Sequence, residues 1–112
     1  MNPYVIPGLP REEIIIDIIN KKIEKVFGYN HIDLTKTSQH RKIADARHMG
    51  ISFLLRYTSL TEREIARHYN RDRSTVPHAF RKVKYLLQHD LEFRAKYKKI
   101  DELISQKMSI CS

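Results

Sequence analysis

Apolar residues recur at helical spacing along most of the chain. In the run REEIIIDIINKKIEKVFG, Ile15, Ile18, Ile19, Ile23 and Val26 share one stripe, which Ile14, Ile16 and Phe27 widen. Pro10 suits the first turn of that helix, Glu12 and Glu13 place negative charge at its positive end, and Gly28 can close it. The stretch YNHIDLTKTSQH is polar and irregular and reads as a connector with one short turn around Ile32–Leu34. A second helix is expected from about Arg41 to Arg56, with Ile43, Ala46, Gly50 and Leu54 on one stripe and Ile51 and Phe53 beside it. Arg47 falls inside that stripe. Either it snorkels outward or pairs with a carboxylate such as Glu64, or it reaches a phosphate at the edge of the bundle.

Thr61 followed three residues later by Glu64 is a capping box and predicts a short third helix. Asn70, Arg71 and Asp72 break the pattern, and Asp72 is expected to cap a fourth helix. In that helix Val76, Ala79, Phe80, Val83 and Leu87 should face inward. Ser74, His78, Arg81 and Tyr85 lie on the opposite face, with Arg73 and Lys82 on its edges. A last helix is expected from about Leu91 to Gln106, capped by Asp90. Tyr57, Tyr69 and Tyr85 read as helix-end or core-edge residues.

Only three glycines and four prolines punctuate the 112 residues, and three of those prolines lie in the first ten. Such long uninterrupted stretches predict an all-α fold, a compact bundle of about five helices around one modest core. We expect residues 1–38 to form an N-terminal helix and connector, 39–107 a helix-turn-helix region packed with it as one globular domain, and 108–112 a tail. No apolar run of about 18 residues suggests a membrane span, and the N-terminus lacks the pattern of a signal peptide. With a single cysteine, Cys111, no internal disulfide is possible, so a cytoplasmic setting is expected.

Charge sharpens the picture by its distribution. The formal net charge is +8, but residues 36–99 hold sixteen Lys/Arg against six Asp/Glu, a net +10, while both flanks are slightly acidic. Positive charge gathered in one segment points to a phosphate-rich partner. A short helix, a tight turn and a longer helix make a helix-turn-helix, whose second helix offers its N-terminal residues to base edges in the major groove. On that reading Arg73 can contact guanine O6 and N7, Asp72 can accept from a cytosine amine, and the Thr75 methyl can touch a thymine methyl. Arg71, Ser74, Arg81 and Lys82 suit phosphate contacts.

The string EIARHYNRDRSTVPHAFRKV resembles the signature of the C-terminal DNA-binding domain of the bacterial replication initiator DnaA. That family carries Gly-Arg-Asp-His-(Ser/Thr)-Thr-Val, two further residues, Ala, a variable residue and Arg-Lys. Upstream, ARHMGISFLL resembles the family's Ala/Pro-Arg-Gln-(Ile/Met)-Ala-Met helix, and the likeness covers roughly residues 39–90. It implies a Trp-repressor-like helix-turn-helix fold and double-stranded DNA as partner. By position it implies base reading by Asp72, Arg73 and Ser74. It implies backbone contacts by Arg71, Thr75 and Lys82, by Arg47 with His48 in place of a phosphate-contacting glutamine, and by Arg63 in the short helix. Arg41 and Arg81 complete the expected backbone set.

Several residues depart from the family pattern. Arg73 replaces the base-reading histidine, which predicts a shifted base preference. Gln39 stands where the family inserts a minor-groove arginine, and Arg41 is the candidate to replace it. The glycine before Arg71 is missing, which predicts a shorter turn, and Pro77 removes one amide donor early in the reading helix. The chain has no G-x-x-x-x-G-K-[ST] phosphate loop, so it is expected to lack ATPase activity and to be a free-standing reading domain with a private N-terminal helix.

No metal, cofactor or catalytic site is expected. The six histidines are scattered without ligand spacing, and Asp72, Ser74 and His78 do not suggest an ordered triad. The alternative function is a protein-interaction module on a former DNA-binding scaffold, with the isoleucine-rich first helix serving a homodimer or a protein partner. RNA is a third reading, because phosphate attraction is blind to the sugar.

Overall fold

In a computed structural model of the chain, which describes residues 12–36 and 40–111, every regular element is a helix. Six occur in order: α1 (Glu12–Phe27), α2 (His31–Thr35), α3 (Arg41–Tyr57), α4 (Glu62–His68), α5 (Thr75–His89) and α6 (Leu91–Cys111). The sixth helix beyond the expected five is α2. Its turn is closed at the start by Asn30 and Asp33, each accepting the other's backbone N–H, at 2.9 and 3.1 Å. Such reciprocal caps stabilise a helix by about 1 kcal/mol, and buried Leu34 pins the turn to the core.

Helix α3 is central and packs against each of the other five. Residues from Ala46 to Leu54 are buried on nearly every side, including Ser52, so its middle reads as core rather than as a stripe. Helix α1 covers α3 and α6 with Ile15, Ile18, Ile19 and Ile23, at the spacing expected from its sequence. Burying an isoleucine stabilises by about 1.5–3 kcal/mol. Gly28, at φ +83°, ends α1 as its N–H donates to the Glu24 carbonyl at 2.8 Å. Glu12 accepts from the Ser59 backbone N–H at 2.7 Å and from its hydroxyl, which ties the start of α1 to the loop before α4.

Helices α5 and α6 meet at Asp90, whose N–H closes α5 on the Leu86 carbonyl while its Oδ1 caps the Phe93 N–H at 3.0 Å. The expected cap of the last helix is therefore present. That helix runs on to Cys111, past the expected end at Gln106, because Ile100 and Ile104 continue the buried face and Met108 packs against the core. Residues 108–111 are thus helix rather than tail.

Two inward faces differ from expectation. In α5 the buried residues are Val76, Ala79, Val83 and Leu86, whereas Phe80 is 46% exposed with the Lys84 ammonium over its ring. Tyr69, expected at a core edge, is completely buried. Its ring fills the space beside Gly50, where a Cβ would lie 2.1 Å from the phenolic oxygen. A side chain at position 50 and the Tyr69 ring cannot share that volume. Among the described residues no helix is long and apolar enough to cross a membrane.

Candidate nucleic-acid interface

Helix α4 starts with the expected capping box: Thr61 accepts from the Glu64 N–H at 3.2 Å, and Glu64 accepts from the Thr61 N–H at 3.1 Å. Glu64 is therefore engaged within α4 and is not the partner of Arg47. Asn70, in the left-handed conformation at φ +56°, ends the helix. The Asn70 N–H reaches the Arg67 carbonyl at 3.0 Å and the Arg71 N–H reaches Ala66 at 2.9 Å, the bond pair of a Schellman ending. The turn is not shortened. Asn70 occupies the place before the arginine where the family pattern has glycine, and asparagine adopts positive φ more readily than other side-chain-bearing residues.

The entry into α5 corrects the expected cap. Asp72 does not cap with its side chain. Instead the backbone carbonyls of Asp72 and Arg73 accept from the N–H groups of Thr75 and Val76, at 2.9 and 3.1 Å. Ser74 occupies the N-cap position but makes no side-chain cap. The reason lies in Pro77, third in the helix, which has no N–H to receive one. Pro77 costs the helix no internal bond, since first-turn amides have no intrahelical acceptor. Asp72, Arg73 and Ser74 are consequently three exposed side chains that make no hydrogen bond within the described residues.

Arg73 shares a shallow depression with Thr61, Glu62 and Arg63 at the start of α4. A second depression runs along the outer face of α5, lined by His78, Arg81, Lys82 and Tyr85. There the Lys82 ammonium lies 5.8 Å from the centre of the Tyr85 ring. Arg63, Arg73, Arg81 and Lys82 are all exposed, and none forms an ion pair among the described residues. Thr75 is half-buried at the first position of α5.

His48 of α3 meets His78 edge-on, with ring centres 5.9 Å apart. Burial, then His78, Arg47 and Lys82, push the His48 pKa down to about 4. It is a neutral imidazole at pH 7, and its Nδ1 has no hydrogen-bond partner among the described residues.

The remaining expected contacts are placed differently. Arg47 is 6% exposed, and its Nε donates to the Leu34 carbonyl at 2.9 Å and its Nη2 to that of Lys36 at 3.4 Å. It neither snorkels nor stands at the bundle edge; it closes the end of α2. Arg71 is half-buried and donates to the carbonyls of Thr35, Lys36, Tyr69 and Asn70. Arg41 is exposed but lies against two carboxylates, Asp90 at 3.2 Å and Asp45 at 3.9 Å. Gln39, the other candidate for the minor groove, lies outside the described residues.

The family described as bacterial DnaA protein helix-turn-helix matches residues 16–83, more than half of the chain. The chain belongs to that family. It is 27% identical over 103 residues to the chromosomal replication initiator protein DnaA of Synechococcus sp. (strain JA-2-3B'a(2-13)), covering 91% of this chain and 22% of the relative. The corresponding protein of Bacteroides thetaiotaomicron is 28% identical over 108 residues (93% and 23%), and that of Nautilia profundicola 30% over 100 residues (88% and 23%). The chain spans less than a quarter of the length of these DnaA relatives. The DnaA match begins at Ile16, within α1, so the first helix is not a private addition.

Two residues on the outer face of α5 were not among the contacts expected from the sequence. His78 and Tyr85 sit with Arg81 and Lys82 on one depression, and the i, i+3, i+4, i+7 spacing of these four residues was the available signal. The carbonyl attachments of Arg47 and Arg71 left no such signal, because backbone acceptors 11 to 36 residues away carry no residue type.

Proposed function

We propose that this chain binds double-stranded DNA and reads its sequence with Asp72, Arg73 and Ser74. The observation that carries the reading is the state of those three side chains. They are exposed and unengaged at the start of α5, where Arg73 shares a depression with the start of α4; in this reading α4 crosses the phosphate backbone. In this reading Arg73 takes a guanine edge in its guanidinium fork and Asp72 accepts from a cytosine amine. Arg63, Thr75, Arg81 and Lys82 hold phosphates, and neutral His48 donates a hydrogen bond to one. Arg41 joins them by exchanging Asp45 and Asp90 for a phosphate, since an exposed ion pair is worth only about 0–1 kcal/mol.

The process proposed is control of replication initiation, which rests on the names of the DnaA relatives. The chain acts by binding, and no catalytic step is proposed. The isoleucines at 15, 18, 19 and 23, which motivated the protein-interaction alternative, are buried within the chain and do not support it. Selection from a random duplex library at moderate salt tests the proposal. One enriched sequence bound far above random DNA is expected, with RNA duplexes failing to compete. Absence of enrichment contradicts it.

A further inference from the structure

Three consecutive carbonyls close α2, those of Leu34, Thr35 and Lys36, and two arginines from elsewhere in the fold take all three. Arg47 of α3 donates to Leu34 at 2.9 Å and to Lys36 at 3.4 Å. Arg71, the first residue after left-handed Asn70, donates through Nη1 to Thr35 at 3.2 Å and through Nη2 to Lys36 at 2.5 Å. The same Nη1 also reaches the carbonyls of Tyr69 and Asn70, at 3.2 and 3.1 Å. A helix C-terminus leaves its last carbonyls without partners and carries partial negative charge, so guanidinium groups suit that end.

These bonds join three elements at one point. Leu34 anchors α2 in the core, Arg47 belongs to the central helix, and Arg71 lies in the reading turn two residues before Arg73. We propose that Arg71 is a positioning residue: its fork fixes the reading turn against the end of α2, which makes α2 part of the reading unit. The inference rests on the DNA-binding reading above and departs from the phosphate contact expected for Arg71. Base discrimination needs donors held within about 0.5 Å of their productive place. A turn held only by its own backbone would let Arg73 wander further than that. Burial of Arg47, and its repulsion by Arg71, press its pKa down, and the carbonyls shared between the two guanidinium groups offset that repulsion.

The test compares the wild type, Arg71→Ala and Arg71→Lys on the selected duplex and on random duplex, each across a salt series. A phosphate contact and a carbonyl clamp give different patterns. Removing a phosphate contact weakens all sequences alike and takes about one unit from the salt slope, and lysine restores it. Removing the clamp lowers the ratio of selected to random binding, by about tenfold if one base contact is lost. The salt slope then stays in place, and lysine does not rescue, because its single nitrogen cannot hold the Lys36 carbonyl that Nη2 takes together with the carbonyls that Nη1 takes.

The second pattern is expected. The first overturns the proposal, as does an unchanged ratio in both variants. Should Arg71→Ala fail to fold, Asn30→Ala serves instead, since it removes the α2 cap without touching the reading turn. A lowered ratio at constant salt slope is expected, and an unchanged ratio overturns the proposal. If the wild type itself selects no sequence, it is the DNA-binding reading that fails, and this inference falls with it.

Discussion

Arg47 and Arg71 share one acceptor, the carbonyl oxygen of Lys36, at 3.4 and 2.5 Å. One residue comes from the core helix and the other from the turn that leads into α5, so the shared oxygen links packing to the reading surface. Two cations that look interchangeable with the other basic residues of this chain are thereby internal supports. Among the exposed cations, Arg63, Arg73, Arg81 and Lys82 line two depressions on the α4 and α5 surface.

Gly50 is predicted to be intolerant of any side chain. A Cβ there would stand 2.1 Å from the Tyr69 phenolic oxygen and 3.0 Å from Ile23 Cδ1. Because Tyr69 is wholly buried, its ring cannot swing away. Gly50→Ala should lose about 1–3 kcal/mol in urea unfolding, the usual effect of overpacking a core. Wild-type stability in that variant would show that the ring is not held where we place it.

Asn70 gives the opposite kind of prediction. At φ +56° a residue with an ordinary side chain is strained by about 1–2 kcal/mol. Asn70→Ala should lower stability by roughly that amount, while Asn70→Gly should match or exceed the wild type. Equal melting temperatures for the alanine and glycine variants would remove the left-handed turn from the account.

Acid should destabilise the fold. Burial lowers the His31 pKa, and His48 and His68 both titrate at about 4. For His68 burial is again the main cause, with the stacked His31 ring, 4.0 Å away, adding to it. Above pH 6.5 these rings are neutral whether the chain is folded or not. As pH falls below 6.5 the unfolded chain takes up protons that the folded chain refuses until about 4. Stability is therefore present above the unfolded value and lost between pH 6.5 and 4, on the order of 1 kcal/mol each for His48 and His68 after solvent screening, with His31 acting in the same direction. Thermal melts over that range should fall steadily, and His48→Gln should flatten the slope. A melting temperature constant from pH 7 to 4.5 would contradict the burial of these rings.

Much of the helix layout was legible because it follows from local signals. The isoleucine spacing of α1, the Thr61–Glu64 box and the Asp90 cap each act within one or two turns. The misreadings share a different cause. Asp72 is a good cap in isolation, but its own backbone carbonyl takes the Thr75 N–H and the helix starts later, at Ser74, whose side chain finds no amide at Pro77. Phe80 and Leu86 both lie near the boundary of the inward stripe, and helical spacing alone does not decide which of them is buried. Arg47 was recognisable as odd within an apolar stripe, yet its partners are carbonyls of α2, which only the tertiary fold brings near. The exposed tip at Asp72, Arg73 and Ser74 was legible from its string, and its freedom from internal bonds was not.

The most direct test compares base preferences of the wild type, Arg73→Ala and Lys82→Ala, each selected on the same random duplex library. We predict that Arg73→Ala keeps the site but loses preference at one base pair, about 1–3 kcal/mol, while Lys82→Ala weakens every sequence alike and lowers the salt slope by about one. Identical preferences in the wild type and Arg73→Ala would contradict the claim that this turn reads DNA.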